Sequence, residues 1–153
     1  KPLGEVELDD FLFVLQVNLA GTFLAIKHAV PHLVERRGAV VTIASTAALK
    51  GHGYGSGYTA SKGGVAALTR LAAVQYGPQG VRVNCICPGG VDTPMTAGTW
   101  NTPEGQKGIR RTVPLQRVAQ PEEIASVAAF LLSDGAADLT GQTIAVDGGA
   151  TIA

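Results

Sequence analysis

Charge is scarce in this sequence. Only 16% of its 153 residues are Asp, Glu, Lys or Arg, with 12 acids against 12 Lys and Arg, so the formal net charge is zero. A soluble domain usually carries about a quarter of its residues charged. A neutral chain has no electrostatic footprint for nucleic acid or an anionic membrane surface, and no nucleic-acid partner is expected. Aromatic residues are also few, at 5%, with one Trp and one Met. There are only two cysteines, Cys85 and Cys87. Residues i and i+2 of a strand share a face but lie too far apart for a relaxed bridge, so they read as buried core thiols. Uninterrupted apolar runs stop short of the roughly 18–20 residues of a membrane helix, so no membrane partner is expected. Lys1-Pro2-Leu3-Gly4-Glu5 lacks the apolar core of a signal peptide. A reducing, cytoplasmic location is therefore expected.

What the chain does have is apolar residues, at 46%, and 20 glycines. That balance suits a close-packed α/β core, part of it buried in a larger body. Leu12, Leu15, Leu19, Phe23, Ile26 and Val30 recur at helical spacing. They predict a helix from about Glu7 to Arg36-Arg37, stopped by Gly38 and bent near Pro31. Residues 39–45 form a short apolar run that reads as a strand buried on both faces. A Gly-rich loop follows at 51–57, then a helix over about 58–76 ended by Gly77-Pro78. Residues 81–87 read as a second strand. About thirty polar residues to Gln120 then read as one long loop, a length uncommon unless functional. Pro121-Glu122-Glu123 opens a third helix, and residues 143–147 form a last strand. Strands alternating with helices predict a doubly wound parallel sheet, with ligands bound outside the carboxyl ends of the strands.

Ser45 closes the first strand, and Tyr58 opens the helix thirteen residues on. Lys62 lies one helical turn after Tyr58, on the same face. An ammonium beside a phenol favours the phenolate, which suits proton exchange with an alcohol or carbonyl oxygen near neutral pH. Ser45 is placed to hydrogen-bond that oxygen. Other constellations fail. Ser56 has tyrosines where a nucleophile elbow needs glycines, and no phosphate-binding P-loop occurs. His28 and His32 share a helix face without a third ligand, so no metal site is expected. Tyr54 has Tyr58, not Lys, four residues on, and reads either as a loop residue near the substrate or as a merely exposed one.

Ser45, Tyr58-Thr59-Ala60-Ser61-Lys62-Gly63-Gly64 and four further segments together resemble the short-chain dehydrogenase/reductase family. Those four are Gln16-Val17-Asn18-Leu19-Ala20-Gly21-Thr22-Phe23, Asn84-Cys85-Ile86-Cys87-Pro88-Gly89-Gly90-Val91-Asp92-Thr93, Pro121-Glu122-Glu123-Ile124-Ala125 and the terminal run from Thr140 to Gly149. They fall in family order across nearly the whole chain. The resemblance implies a Rossmann-like fold and an NAD- or NADP-dependent oxidoreductase interconverting an alcohol and a ketone or aldehyde. It implies that Tyr58 is the general acid/base and that Lys62 lowers its pKa and binds the nicotinamide ribose. Ser45 would hold the substrate oxygen, and Asn18 a water chain to Lys62. Pro88, Gly89, Val91 and Thr93 would line the nicotinamide, with residues 94–113 a mobile substrate loop hinged at Gly98, Gly105 and Gly108. It further implies a homodimer or homotetramer packed through the two long helices. The family's Gly-rich dinucleotide fingerprint and its Asn-Asn-Ala-Gly segment do not occur in this sequence. The resemblance therefore makes residues 1–153 a single partial domain, the C-terminal portion of the fold, and places the choice of NAD or NADP in the absent half. The rival expectation is a catalytically incomplete fragment that keeps the packing but binds no cofactor alone. An extended-branch dehydratase or epimerase fits less well, because the terminal Asp147-Gly148-Gly149 segment matches the shorter reductases.

Overall fold

A computed structural model describes residues 1–51 and 53–153; His52, within the Gly-rich loop, lies outside the described residues. Three parallel strands, β1 (Ala39–Ile43), β2 (Arg82–Pro88) and β3 (Thr143–Val146), form one sheet in the order β1-β2-β3. Ala39 stands opposite Arg82, and Cys85 opposite Thr143. The expected parallel sheet is therefore present, with strand ends shifted by one or two residues from the sequence reading. β2 is central, and Val83 through Cys87 are wholly buried. The second edge of β1 has no strand partner among the described residues.

Helices cover both faces. On one lie α1 (Leu8–Leu15), α2 (Gly21–Arg36) and α3 (Ser56–Tyr76). Ile26 and Val30 of α2 meet Ala72 and Ala73 of α3 over Val81 and Val83. Further along, Val65 and Ala66 of α3 cover Cys85 and Cys87, both free thiols, as their composition and spacing suggested. On the other face, α6 (Pro121–Leu132) seats Leu131, with Ile124, Val127 and Ala128, against Ile86. The start of α6 is fixed by a capping box between Gln120 and Glu123, and Arg117 grips the Glu123 carboxylate through two 2.7 Å bonds. The carboxyl group of Glu123 is held down to about 2, chiefly by that guanidinium.

Several expectations need correction. The stretch read as one loop holds α4 (Ala97–Trp100) and α5 (Pro103–Thr112). The signals for α5 were present: Thr102 caps it by accepting from Gly105 N, Pro103 is its first residue and Arg110-Arg111 lie in its last turn. Its low hydrophobicity hid them, since Ile109 is its one buried side chain. Gly105 is required by space, since a Cβ there would collide with the Thr99 carbonyl. At the end of α2, Arg37 rather than Gly38 takes the left-handed backbone, with φ 51°. Gly38 N–H donates to Leu33 O at 2.9 Å, and a Cβ on Gly38 would lie 2.6 Å from Leu33 Cδ2. The near atom is the end of a flexible side chain, so a Cβ at 38 asks only that Leu33 shift, and α2 runs unbroken through Pro31.

The first helix also differs. Residues Gln16–Ala20 form a π-turn that joins α1 to α2. The continuous helix Leu8–Arg36 contains an 18-residue stretch with a mean hydropathy of 1.4, apolar and long enough to cross a membrane by length and composition alone. The sequence reading missed this because it counted unbroken runs, which Gln16, Asn18 and Thr22 interrupt. The apolar stripe that predicted this helix is only partly covered. Ile26 and Val30 are buried, while Leu12 and Phe23 are about half exposed, at 43% and 47%. With Leu15, Leu19, Leu68 and Leu71 they line an apolar groove of about 590 Å³ between α1–α2 and α3.

Candidate active site

In a parallel sheet all carboxyl ends reach the same edge, and here they frame a cleft of about 480 Å³. One wall carries Ser45, Tyr58 and Lys62; the other carries Pro88, Gly89, Val91 and Thr93. All seven were singled out from the sequence, and the fold brings them together. Met95, Thr99 and Trp100, from the segment holding α4, close the third side.

Each side chain on the first wall is placed by a nameable contact. The backbone leaves β1 extended at Ser45 (φ −168°, ψ 162°), which then caps the short turn Thr46–Ala48. Ser45 Oγ accepts from Ala47 N–H at 3.2 Å, and the residue is 7% exposed. A hydroxyl that accepts one bond still has its own hydrogen to donate. Tyr58 sits in the first turn of α3, with the Tyr54 ring 5.7 Å away, centroid to centroid, and tilted by 56°. Burial raises the Tyr54 phenol above its usual range, reinforced by Tyr58.

Lys62 Nζ donates to the Ile43 carbonyl at 3.0 Å and stands 5.7 Å from the centre of the Tyr58 ring. The ammonium is thus tied to the end of β1, and two of its three hydrogens make no bond among the described residues. Burial holds Lys62 below the usual lysine range, opposed by any thiolate charge on the neighbouring Cys85–Cys87 pair. Of those two, Cys87 is pushed up by its hydrogen bond to Cys85 and by burial, so it stays a neutral thiol.

Asn18 lies apart from the cleft wall. Its carbonyl accepts from Thr22 Oγ1 at 2.7 Å, and its Nδ2 donates to Ser61 Oγ at 3.1 Å. Ser61 in turn donates to the Tyr58 carbonyl at 2.7 Å and is fully buried. Asn18 therefore reaches the Tyr58–Lys62 turn through Ser61, a residue the sequence reading left without a role. The Ser61 signal was its position, one helical turn beyond Tyr58. The π-turn that positions Asn18 had none, although such turns cluster at functional sites. Thr96, which holds Val91 and Thr93 by its hydroxyl, was likewise missed.

Residues 1–151 match a family model described as Enoyl-(Acyl carrier protein) reductase. The chain is 41% identical over 151 residues to cis-4-hydroxycyclohexanecarboxylate dehydrogenase of Sinomonas cyclohexanicum, covering 98% of this chain and 60% of that protein. It is 42% identical over 147 residues to meso-2,3-butanediol dehydrogenase of Serratia marcescens, covering 96% and 58%. Among solved structures, 4-hydroxyisoleucine dehydrogenase complexed with NADH superposes with a TM-score of 0.94 at 30% identity, covering all of this chain and 64% of that one. The chain thus spans about three fifths of the length of the curated relatives it matches.

Removing the Ser61 hydroxyl leaves the Asn18 amide hydrogen without its partner. Ser61→Ala is expected to lower stability by about 1–3 kcal/mol, the usual penalty for an orphaned, largely buried donor. The double variant with Asn18→Ala should cost less than the sum of the two single changes. Urea unfolding measures both, and strict additivity would show that the bond contributes nothing.

Proposed function

Because the chain belongs to the short-chain dehydrogenase/reductase family, we propose that it supplies the substrate side of an oxidoreductase that interconverts an alcohol and a ketone or aldehyde. The observation that carries this reading is the cleft itself, with Ser45, Tyr58 and Lys62 facing Pro88, Gly89, Val91 and Thr93. The donor set fits a nicotinamide group. Val91 and Thr93 border the cleft on one side, and Lys62, with hydrogens that Ile43 does not take, lies on the other. Tyr58, Lys62, Pro88, Gly89, Val91 and Thr93 would hold NAD or NADP, which supplies or takes up the hydride when bound. NADH occupies a solved relative at 30% identity, which supports a nicotinamide cofactor and leaves the choice between NAD and NADP open.

The protein's own part is proton handling and orientation. In the reducing direction, Ser45 Oγ–H donates to the carbonyl oxygen and polarises it, while its lone pair stays engaged by Ala47 N–H. Tyr58 then gives its phenolic proton to that oxygen as negative charge develops there. Lys62, fixed by the Ile43 carbonyl, stabilises the phenolate that remains. Asn18 and Ser61 hold the turn that carries Tyr58 in register. In the oxidising direction the same groups act in reverse. The substrate is a small alcohol or carbonyl compound, and the segment over 94–113, with Met95, Thr99 and Trp100, shapes the pocket that selects it.

The groove between α1–α2 and α3 is the proposed subunit face. Its lining is almost wholly apolar, and Gly64 lets the helices approach closely, since a Cβ there would lie 2.7 Å from Leu19 Cδ2. A second copy covering that groove makes the intact protein a dimer or tetramer. Light scattering at micromolar concentration tests this, and a clean monomer contradicts it.

Tyr58→Phe in the intact protein is expected to reduce turnover by at least the about 10²–10⁴-fold typical of a lost acid/base group. Nicotinamide dinucleotide affinity should be largely retained. Tyr54→Phe, which removes a phenol from the rim of the cleft, should have a far smaller effect. Steady-state kinetics and fluorescence titration measure these quantities, and equal losses in the two variants reject the assignment.

A further inference from the structure

The segment after β2 folds back through a single hydroxyl. Thr96 Oγ1 lies 2.5 Å from the Val91 carbonyl oxygen, 3.0 Å from Thr93 N and 3.0 Å from Thr93 Oγ1. Thr96 N–H closes the same turn on Thr93 O at 2.9 Å. Val91 is itself anchored, because it pairs with Ala119, and Asp92 N–H and Ala119 N–H bond across that bridge at 2.9 Å each. Val91, Thr93 and Thr96 all line the cleft.

A hydroxyl has one hydrogen and two lone pairs. The shortest contact of Thr96 Oγ1 is to a carbonyl, which only accepts, so its hydrogen goes to Val91. A longer contact to Thr93 O, at 3.2 Å, competes weakly for it. The lone pairs of Thr96 then receive Thr93 N–H and Thr93 Oγ1–H. Both hydroxyl hydrogens and the Thr93 N–H are thus committed. Thr93 Oγ1 is left with lone pairs only, beside a Val91 carbonyl that is also an acceptor.

We infer that Thr96 is a positioning residue that fixes Thr93 Oγ1 as an acceptor, so that this wall of the cleft selects a group with an N–H to donate. On the preceding reading that Thr93 faces the nicotinamide, that group is the amide NH₂ of the carboxamide. Thr96 thereby sets which way round the carboxamide sits, and it links the substrate segment beginning at Met95 to the cofactor wall. A free threonine hydroxyl at position 93 would rotate to donate or accept, and would discriminate less between a carboxamide and a ketone in its place.

The test uses the intact protein and two reduced dinucleotides, the ordinary cofactor and its 3-acetylpyridine analogue, whose acetyl group has no N–H. Fluorescence titration gives a Kd for each. Thr96→Val, which keeps the shape and removes the hydroxyl, should weaken the ordinary cofactor about tenfold, the scale of one lost hydrogen bond. It should change the analogue less than about twofold. Thr96→Ser should restore the wild-type preference. Equal weakening of both ligands would mean that Thr96 merely stiffens the segment, and no weakening of either would mean that it orients nothing; both outcomes overturn the proposal. Thr93→Val separates the two levels of the account. If it weakens the ordinary cofactor while Thr96→Val leaves the preference intact, the role of Thr96 alone fails. If Thr93→Val has no effect on either ligand, the placement of the nicotinamide fails and the role of Thr96 with it.

Discussion

Val83 through Cys87 are shut off from water on both faces of the sheet, and the position of every group at the cleft follows from that burial. A strand buried on both faces must be apolar throughout and must satisfy its backbone with neighbours on each side. β1 and β3 supply those neighbours in parallel. Asn84, the one strongly polar side chain in the run, is spent within the protein: its amide donates to Leu139 O and its oxygen accepts from Gln142 N–H. Helix α3 can lie close on the first face because its contact residues are Val65, Ala66, Ala72 and Ala73. That close approach delivers Lys62 to the end of β1, where the Ile43 carbonyl takes one of its hydrogens. The exit of β2 at Pro88 then places Gly89, Val91 and Thr93 across from it.

Much of this was legible in the residues, and the exceptions have physical causes. The strands announced themselves as short apolar runs, and α6 by Pro121, its acids and its stripe. Ser45, Tyr58 and Lys62 were recoverable because spacing along a strand tip and one helix turn is local information. Ser61 and Asn18 are 43 residues apart, and their bond exists only because α3 crosses the π-turn. Nothing in the Gln16–Ala20 composition marks that turn. α5 was missed for a different reason: a polar helix has no hydrophobic period to find, and its caps were overlooked. At Arg37 and Gly38 a glycine next to a helix end drew the usual conformational explanation, whereas Arg37 takes the left-handed backbone and Gly38 only sits close against Leu33.

The apolar stripe of the first helix carries a second lesson. Its periodicity predicted a helix, and much of the stripe faces an open groove opposite α3. Periodicity records that a face is apolar, not what covers it. The same helix is apolar enough to satisfy a membrane criterion by composition, while Ile26 and Val30 bury themselves against the sheet. One face of it serves the core of this chain, and another lines the open groove. The segment over α4 and α5 divides its work similarly: Ile109 anchors it, and Trp100 packs across Gly90 at the mouth of the cleft.

The central claim is that this cleft brings a nicotinamide and a carbonyl carbon together for direct hydride transfer. Reduced dinucleotide carrying deuterium at the transferring C4 position, supplied to the intact protein with a panel of small ketones in ordinary water, tests it most directly. Mass spectrometry of the product alcohol is expected to show one deuterium bound to the carbinol carbon, resistant to exchange with solvent. Product alcohol without that deuterium, or no product from any ketone despite dinucleotide bound in the cleft, would contradict the account.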